Sequence, residues 1–282
     1  MNNNIKLSAF ADEASISFDE QIIAMKENGI DFLEIRGVDG TNISDLSAGQ
    51  VQMVGKKLRD NGLAVWSIGS PSGKIDIKDD FKPHLDNFKR MVEAASVFGA
   101  PCFRLFSFYG TDGKPEYRDE VMLRLSRFCE AAKGSGVILC HENEKEIYGD
   151  NAERCLEILK AVPEIRGIFD PANFIQCGVK TLPAWEMLSP YIEYIHIKDA
   201  LTDGKVVPAG FGIGNIPQIL KQYIANGGTV MTLEPHLSAF DGLGELEHDE
   251  KSVVGQGEFK YPTQRAAFDS AVNALKDILN KF

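Results

Sequence analysis

Tyr191-Ile192-Glu193-Tyr194-Ile195-His196-Ile197-Lys198-Asp199 reads as a buried strand that ends in chemistry. β-Branched and aromatic residues dominate it, as strands prefer. It stops in a His, a Lys and an Asp, which an apolar core rejects unless they are paired. Three other apolar runs stop the same way. Val137-Ile138-Leu139-Cys140 leads into His141-Glu142-Asn143-Glu144, Ile165-Arg166-Gly167-Ile168-Phe169 into Asp170-Pro171-Ala172-Asn173, and Thr229-Val230-Met231-Thr232-Leu233 into Glu234-Pro235-His236.

Outward from these runs, the chain alternates strand and helix patterns from end to end. Strands are expected over 5–10, 31–36, 63–68, 101–106, 137–142, 167–170, 192–198 and 229–234. Helices are expected over 18–28, 47–61, 79–98, 115–133, 151–159, 182–188, 216–225 and 263–279. Gly29, Gly62 and Gly99 follow three of them as C-terminal stops. Eight such units of roughly 30 residues match the size of one α/β (β/α)8 TIM barrel. A doubly wound open sheet competes, but the first strand-to-helix turn lacks G-x-G-x-x-G. No Pro/Ser run, low-complexity tract or charge block marks a linker, so residues 1–282 are expected to form a single barrel domain. The Gly- and acid-rich stretch 237–261 is long for a connection and fits a lid or a subunit contact, with plain disorder as the alternative.

Acidic residues outnumber basic ones 41 to 30, for a net charge of −11. A nucleic-acid binder needs a cationic face, so this balance argues against that class. Hydrophobic residues, at 44%, suffice for a substantial core. The five cysteines, Cys102, Cys129, Cys140, Cys155 and Cys177, include no C-x-x-C pair and fit reduced thiols in apolar surroundings. Met1-Asn2-Asn3-Asn4 runs into a strand without the charged start and apolar core of a signal peptide, and no apolar run is long enough to cross a bilayer. A cytoplasmic protein with no membrane or nucleic-acid partner is expected, and a homodimer is left open.

In such a barrel every strand points the same way, so the C-terminal ends share one face, where active sites gather. Alternation decides which residues face inward: Cys140 with Glu142, and Tyr194 with His196 and Lys198. Glu142, Asp170, His196 and Glu234, at the ends of the fifth to eighth strands, then converge. Three carboxylates and an imidazole suit one divalent cation, manganese first, with magnesium, cobalt or zinc also fitting, and leave positions open for substrate oxygens. The competing arrangement is a buried ion-pair network in which Lys198 and Arg166 neutralise the acids. It leaves excess negative charge, which a divalent cation offsets better.

The motifs H-E-N-E (141–144), D-P-A-N (170–173), H-I-K-D (196–199) and L-E-P-H (233–236), with G-F-G-I-G-N-I-P (210–217), resemble the sugar phosphate isomerase/epimerase superfamily. These xylose isomerase-like TIM barrels include keto-sugar 3-epimerases, inosose dehydratases and endonuclease IV. The likeness runs over nearly the whole chain. It implies that Glu142, Asp170, His196 and Glu234 hold the metal and that Glu142 and Glu234 double as the acid/base pair on a small sugar or cyclitol. A hydroxy-ketone would offer two adjacent oxygens to the cation, while one Glu removes the proton beside the carbonyl and another carboxylate returns one. Return to the opposite face of the same carbon is epimerisation, return to the next carbon is isomerisation, and loss of a β-hydroxyl is dehydration. A metal-dependent sugar or sugar phosphate isomerase or epimerase is the leading expectation. A dehydratase of the inosose or dehydroshikimate type comes second, and a sugar-binding barrel without activity third. Epimerases of the group carry a His where this chain has Asn173, and H-x-K-D is closer to the inositol-catabolism branch. Endonuclease IV relatives need further ligands and a cationic DNA face, and neither is evident here.

Lys198, Asn173, His236, Arg36, Arg104 and Trp66 are the substrate-binding candidates. Lys198 either touches substrate or neutralises Glu142 or Glu234. His236 shares its parity with Glu234. Arg36 and Arg104 end the second and fourth strands and suit a carboxylate or phosphate, or else pair with Glu34 or Asp12. Trp66, like Phe10 and Phe106, is placed to wall a sugar, with core packing as the alternative. His141 has the wrong parity for the interior and is read as structural.

Overall fold

The eight expected strands form, in register, around one axis. The computed structural model describes residues 5–239 and 259–282, so most of the 237–261 stretch lies outside the described residues. The strands are β1 (Lys6–Ala9), β2 (Phe32–Ile35), β3 (Ala64–Ile68), β4 (Cys102–Leu105), β5 (Ile138–Glu142), β6 (Arg166–Phe169), β7 (Ile192–Ile197) and β8 (Val230–Leu233). They pair in the order β1-β8-β7-β6-β5-β4-β3-β2 and close back onto β1, every pair parallel. Closure leaves no sheet edge unpaired, and it puts every strand's C-terminus at one mouth.

Around the barrel lie α1 (Phe18–Glu27), α2 (Ala48–Asp60), α3 (Phe81–Phe98), α4 (Arg118–Ala132), α5 (Ala152–Ala161), α6 (Pro171–Gln176), α7 (Thr181–Leu188), α8 (Ile216–Ala225) and α9 (Gln264–Leu279). Side-chain oxygens set their starts by accepting N–H groups that have no partner inside the helix. Ser47 closes a capping box with Gln50 on α2, Asp80 caps α3, Asn151 caps α5 and Thr263 caps α9. α6 is absent from the expected pattern because six residues carry no amphipathic repeat. It starts where it does because Asp170 accepts the Asn173 N–H and Pro171 suits the first turn. Among the described residues no helix is long and apolar enough to cross a membrane.

Alternation divides the core in two. Ala9, Leu33, Ile35, Phe103, Leu139, Phe169, Ile195, Met231 and Leu233 face outward into the main cluster under the helices. Cys102, Cys140, Ile168, Tyr194 and Val230 fill the barrel interior, with Trp66 packed on them. One irregularity matters for the site. The β2–β3 register slips between Leu33 and Glu34, which pair with Val65 and Ser67, so Trp66 is the extra residue of a bulge. The bulge lets two successive residues, Trp66 and Ser67, both reach Tyr194: Trp66 packs its ring at 6.0 Å and Ser67 lies 3.0 Å from the phenol oxygen.

After β7 the chain turns sharply, held by Asp199. Its Oδ1 accepts the N–H groups of Ala200 and Gly214 at 2.9 and 2.8 Å, and its Oδ2 accepts those of Gly210 and Gly212 at 2.9 and 3.1 Å. A Cβ on Gly212 would stand 2.3 Å from Asp199 Oδ1, so only glycine lets the amides come this close. The loop after β3 is pinned from outside: Gly73 N–H donates to His84 Nε2 at 2.7 Å. His84 must therefore be neutral, and burial, reinforced by Arg124, pushes its pKa down to about 4.

Two outcomes follow from these contacts. Asp199→Ala leaves four backbone donors without their acceptor and should destabilise the protein by at least about 2 kcal/mol in denaturant unfolding. A loss below roughly 0.5 kcal/mol would mean the glycine loop holds itself. For His84, the folded imidazole titrates near 4 and the unfolded one near 6.5. Its contribution is therefore complete above pH 6.5 and lost as the pH falls toward 4. His84→Gln keeps an acceptor that does not titrate, so its Tm should fall less than that of the parent over this window; parallel Tm curves would rule the switch out.

Candidate metal centre

The last inward residue of each of four neighbouring strands reaches the same point in the mouth. Glu142 closes β5, Asp170 follows β6, His196 lies on β7 and Glu234 follows β8; one ligand atom from each lies within 4.8 Å of the others, and all four residues are buried. Asn143 ties two of these strand ends together: its Oδ1 accepts the Asp170 N–H and its Nδ2 donates to the Asp170 carbonyl, both at 2.9 Å. Asn173, at the first turn of α6, donates through Nδ2 to Asn143 O at 3.0 Å and more distantly to Glu142 Oε1 at 3.4 Å.

Positive groups ring the acids. Arg104 Nη1 is 3.1 Å from Glu142 Oε2 and 3.6 Å from Glu234 Oε1. Arg36 pairs with Asp12 at 2.8 Å, Glu13 at 3.1 Å and Glu234 at 3.4 Å. Lys198 Nζ sits between Asp170 Oδ2 and Glu234 Oε2, at 2.9 and 3.1 Å. His196 presents Nδ1 to Glu142 Oε1 at 2.9 Å and to Glu234 Oε2 at 3.4 Å. Its Nε2 meets Glu34 Oε2 at 3.1 Å. Phe10 stands edge-on to the imidazole at 5.4 Å and under the Arg36 and Arg104 guanidiniums at 4.4 and 4.9 Å.

Burial works against every charge here, and the neighbours decide the outcome. Burial opposes ionisation of Glu142, but His196 and Arg104 hold its carboxyl down at about 2. Glu234 is likewise held well below the usual range by Lys198, His236 and His196 against its burial. Asp170 goes the other way: burial, with repulsion from Glu234 and Glu142, outweighs Lys198 and lifts it to about 7. Its Oδ1 is occupied by the Asn173 N–H, while Oδ2 is buried with no aligned hydrogen-bond donor, Lys198 being close but off-axis. A carboxylate oxygen left under-satisfied beside two ionised carboxylates and an imidazole nitrogen fits a divalent cation. Glu142, Asp170, His196 and Glu234 are the residues that would hold it.

The other candidates fall into place around this point. Arg36 and Arg104 brace carboxylates, so their charge is committed inside the protein. His236 lies with Nε2 3.4 Å from Glu13 Oε1 and 3.5 Å from Glu234 Oε1, in a left-handed backbone conformation with φ 45°. Lys74, from the Gly- and Ser-containing loop after β3 and not among the substrate-binding candidates, pairs with Glu144 at 3.4 Å and lies 4.4 Å from the Phe106 ring. Trp66 packs on Tyr194 at the interior cluster, the core-packing alternative weighed for it. Arg166, weighed as a neutralising partner, is at the opposite end of β6 and pairs with Glu193 at 3.5 Å. His141 faces away from the interior, 2.9 Å from Ser107 Oγ. Sequence reading passed over the site roles of Glu34, Asn143 and Glu13. Glu34 left a trace, as an acid at the inward position of an otherwise apolar β2. Asn143 left none, because its role is to bridge backbones.

Solved structures share this architecture. The probable 3-DHS dehydratase AsbF of Bacillus anthracis superposes with a TM-score of 0.73 at 18% identity, over 96% of this chain and 99% of that one. An IOLI protein with a bound zinc atom gives 0.72 at 16% identity, over 99% of both chains. A D-allulose 3-epimerase from Methylomonas sp. gives 0.73 at 14% identity, over 99% of this chain and 98% of that one. At these identities the likeness establishes the fold. No curated protein sequence matches the chain significantly. The family profile described as xylose isomerase-like TIM barrel matches residues 22–253. With a closed parallel barrel and a match over most of its length, the chain belongs to the xylose isomerase-like TIM barrel family.

Proposed function

We propose that this protein is a divalent-metal-dependent isomerase or epimerase of a small polyhydroxy ketone, with manganese as the resident ion. The observation that carries this reading is the convergence of three buried carboxylates and one imidazole at the barrel mouth. A cation held there supplies Lewis-acid polarisation of a ketone oxygen and offsets the clustered negative charge.

The proton work falls to Glu142 and Glu234. Both are kept ionised by their cationic neighbours, so either is able to accept a proton from the carbon beside a carbonyl. They reach His196 Nδ1 from two different strands, β5 and β8, at 2.9 and 3.4 Å. Removal of the proton by one and return by the other inverts a carbon or moves the carbonyl. Lys198 holds positive charge beside the region where the enediolate oxygens develop negative charge. Asp170 and Glu234 raise its pKa well above the ordinary lysine value against its burial, so it keeps its proton. The substrate class is a sugar or cyclitol, because committed cations such as Arg36 and Arg104 leave the polar work to hydroxyl recognition.

Manganese titrated into cation-free protein by calorimetry should bind once per chain. Asp170→Asn should abolish or greatly weaken that binding without loss of fold; unchanged affinity would displace Asp170 from the centre. With ketoses and inososes screened in heavy water, the parent should exchange a substrate proton, and Glu234→Gln should lower the rate by about 10²–10⁴-fold. Wild-type exchange in that variant would remove Glu234 from the acid/base pair. A product lighter by one water would select the dehydratase instead.

A further inference from the structure

We propose that Glu34 is the positioning residue of the centre: it holds the His196 imidazole with its proton on Nε2, so that Nδ1 is the nitrogen offered to the cation. This rests on reading Glu142, Asp170, His196 and Glu234 as a metal centre.

Glu34 comes from β2, which is not a neighbour of β7 in the barrel; β1 and β8 lie between them. Its side chain therefore spans the interior. It is fully buried, and its two oxygens are divided between two partners. Oε1 accepts from the Tyr194 hydroxyl at 2.9 Å, and Oε2 faces His196 Nε2 at 3.1 Å. Burying a carboxylate is costly, and a neutral side chain would serve Tyr194 equally well. What the carboxylate adds is a second oxygen, Oε2, for Nε2 to meet. A glutamine there could turn its NH2 toward Nε2 and favour the opposite tautomer, whereas a carboxylate meets Nε2 only if that nitrogen carries hydrogen. With the proton kept on Nε2, Nδ1 is the nitrogen that would give up its own proton, now shared with Glu142 at 2.9 Å, and turn its lone pair to a cation held beside Glu142 and Glu234.

The carboxylate is itself oriented. Ser67 Oγ lies 3.0 Å from the Tyr194 oxygen, placed there by the β3 bulge. Ser67 can donate to the phenol oxygen, which turns the phenol hydrogen toward Glu34. Phe10 stands at 83° to the imidazole plane and limits its rotation. A chain of Ser67, Tyr194 and Glu34 thus ends on His196 and fixes which edge of the ring looks into the mouth.

The test needs no substrate. Manganese affinity is measured by calorimetry on the full chain for the parent, Glu34→Gln and Tyr194→Phe. In parallel, long-range ¹H–¹⁵N spectra are recorded on zinc-loaded parent with labelled histidine. Glu34→Gln should bind about 10–100-fold more weakly while its cation-free form still unfolds cooperatively, and Tyr194→Phe should lose less. The spectra should show the His196 proton on Nε2 and the metal on Nδ1. Parental affinity in folded Glu34→Gln, or zinc on Nε2, would overturn the role of Glu34. If Glu34→Gln fails to fold, the parental spectra alone decide. A parent that binds no cation would overturn the centre itself, and Glu34's role with it.

Discussion

Three carboxylates within 4.8 Å of an imidazole and of each other, sealed from water, repel one another, and the rest of the barrel mouth answers that repulsion. Lys198 is wedged between Asp170 and Glu234, and Arg104 spans Glu142 and Glu234. Arg36 takes on a second acidic group, Asp12 and Glu13, before it reaches Glu234. Even so, Asp170 keeps a lifted pKa, because burial, with repulsion from Glu234 and Glu142, outweighs Lys198. Replacing such a cluster by apolar side chains would cost the fold little and could strengthen it.

The strain is tolerable because the scaffold beneath it is conventional. Outward residues such as Phe103, Phe169 and Leu233 bury apolar surface under the helices, and inward Cys102, Cys140, Ile168 and Val230 close the barrel below the mouth. Chemistry and stability therefore occupy different heights along the same strands. Tyr194 and His196, two residues apart on β7, mark the boundary: the first still packs on Trp66, while the second already faces carboxylates.

Much of this was legible in the sequence, for reasons that can be named. The barrel is readable because its strands are apolar runs with turn residues between them, and the convergence of Glu142, Asp170, His196 and Glu234 follows from parity alone. What parity could not show was the bulge at Trp66, which turns both Trp66 and Ser67 toward Tyr194. α6 was hidden by its brevity, and its cap, Asp170, doubled as a site residue. Glu34 was read only as a pairing partner for Arg36 or Arg104, with Asp12 as the other; Arg36 does turn to Asp12, and to Glu13, while Glu34 crosses the barrel. Long-range pairing across a barrel leaves no local pattern to read.

The glycine-rich turn after β7 is gripped entirely through its backbone, by one carboxylate that collects the amides of positions 200, 210, 212 and 214. The intervening side chains, Phe211 and Ile213, project outward and are largely exposed. The segment thus separates scaffold from decoration residue by residue: alternate positions are locked as glycine, while those between are free to change identity without disturbing the grip. The rim of this barrel therefore has two positions, 211 and 213, whose side chains can be exchanged without touching the grip of Asp199.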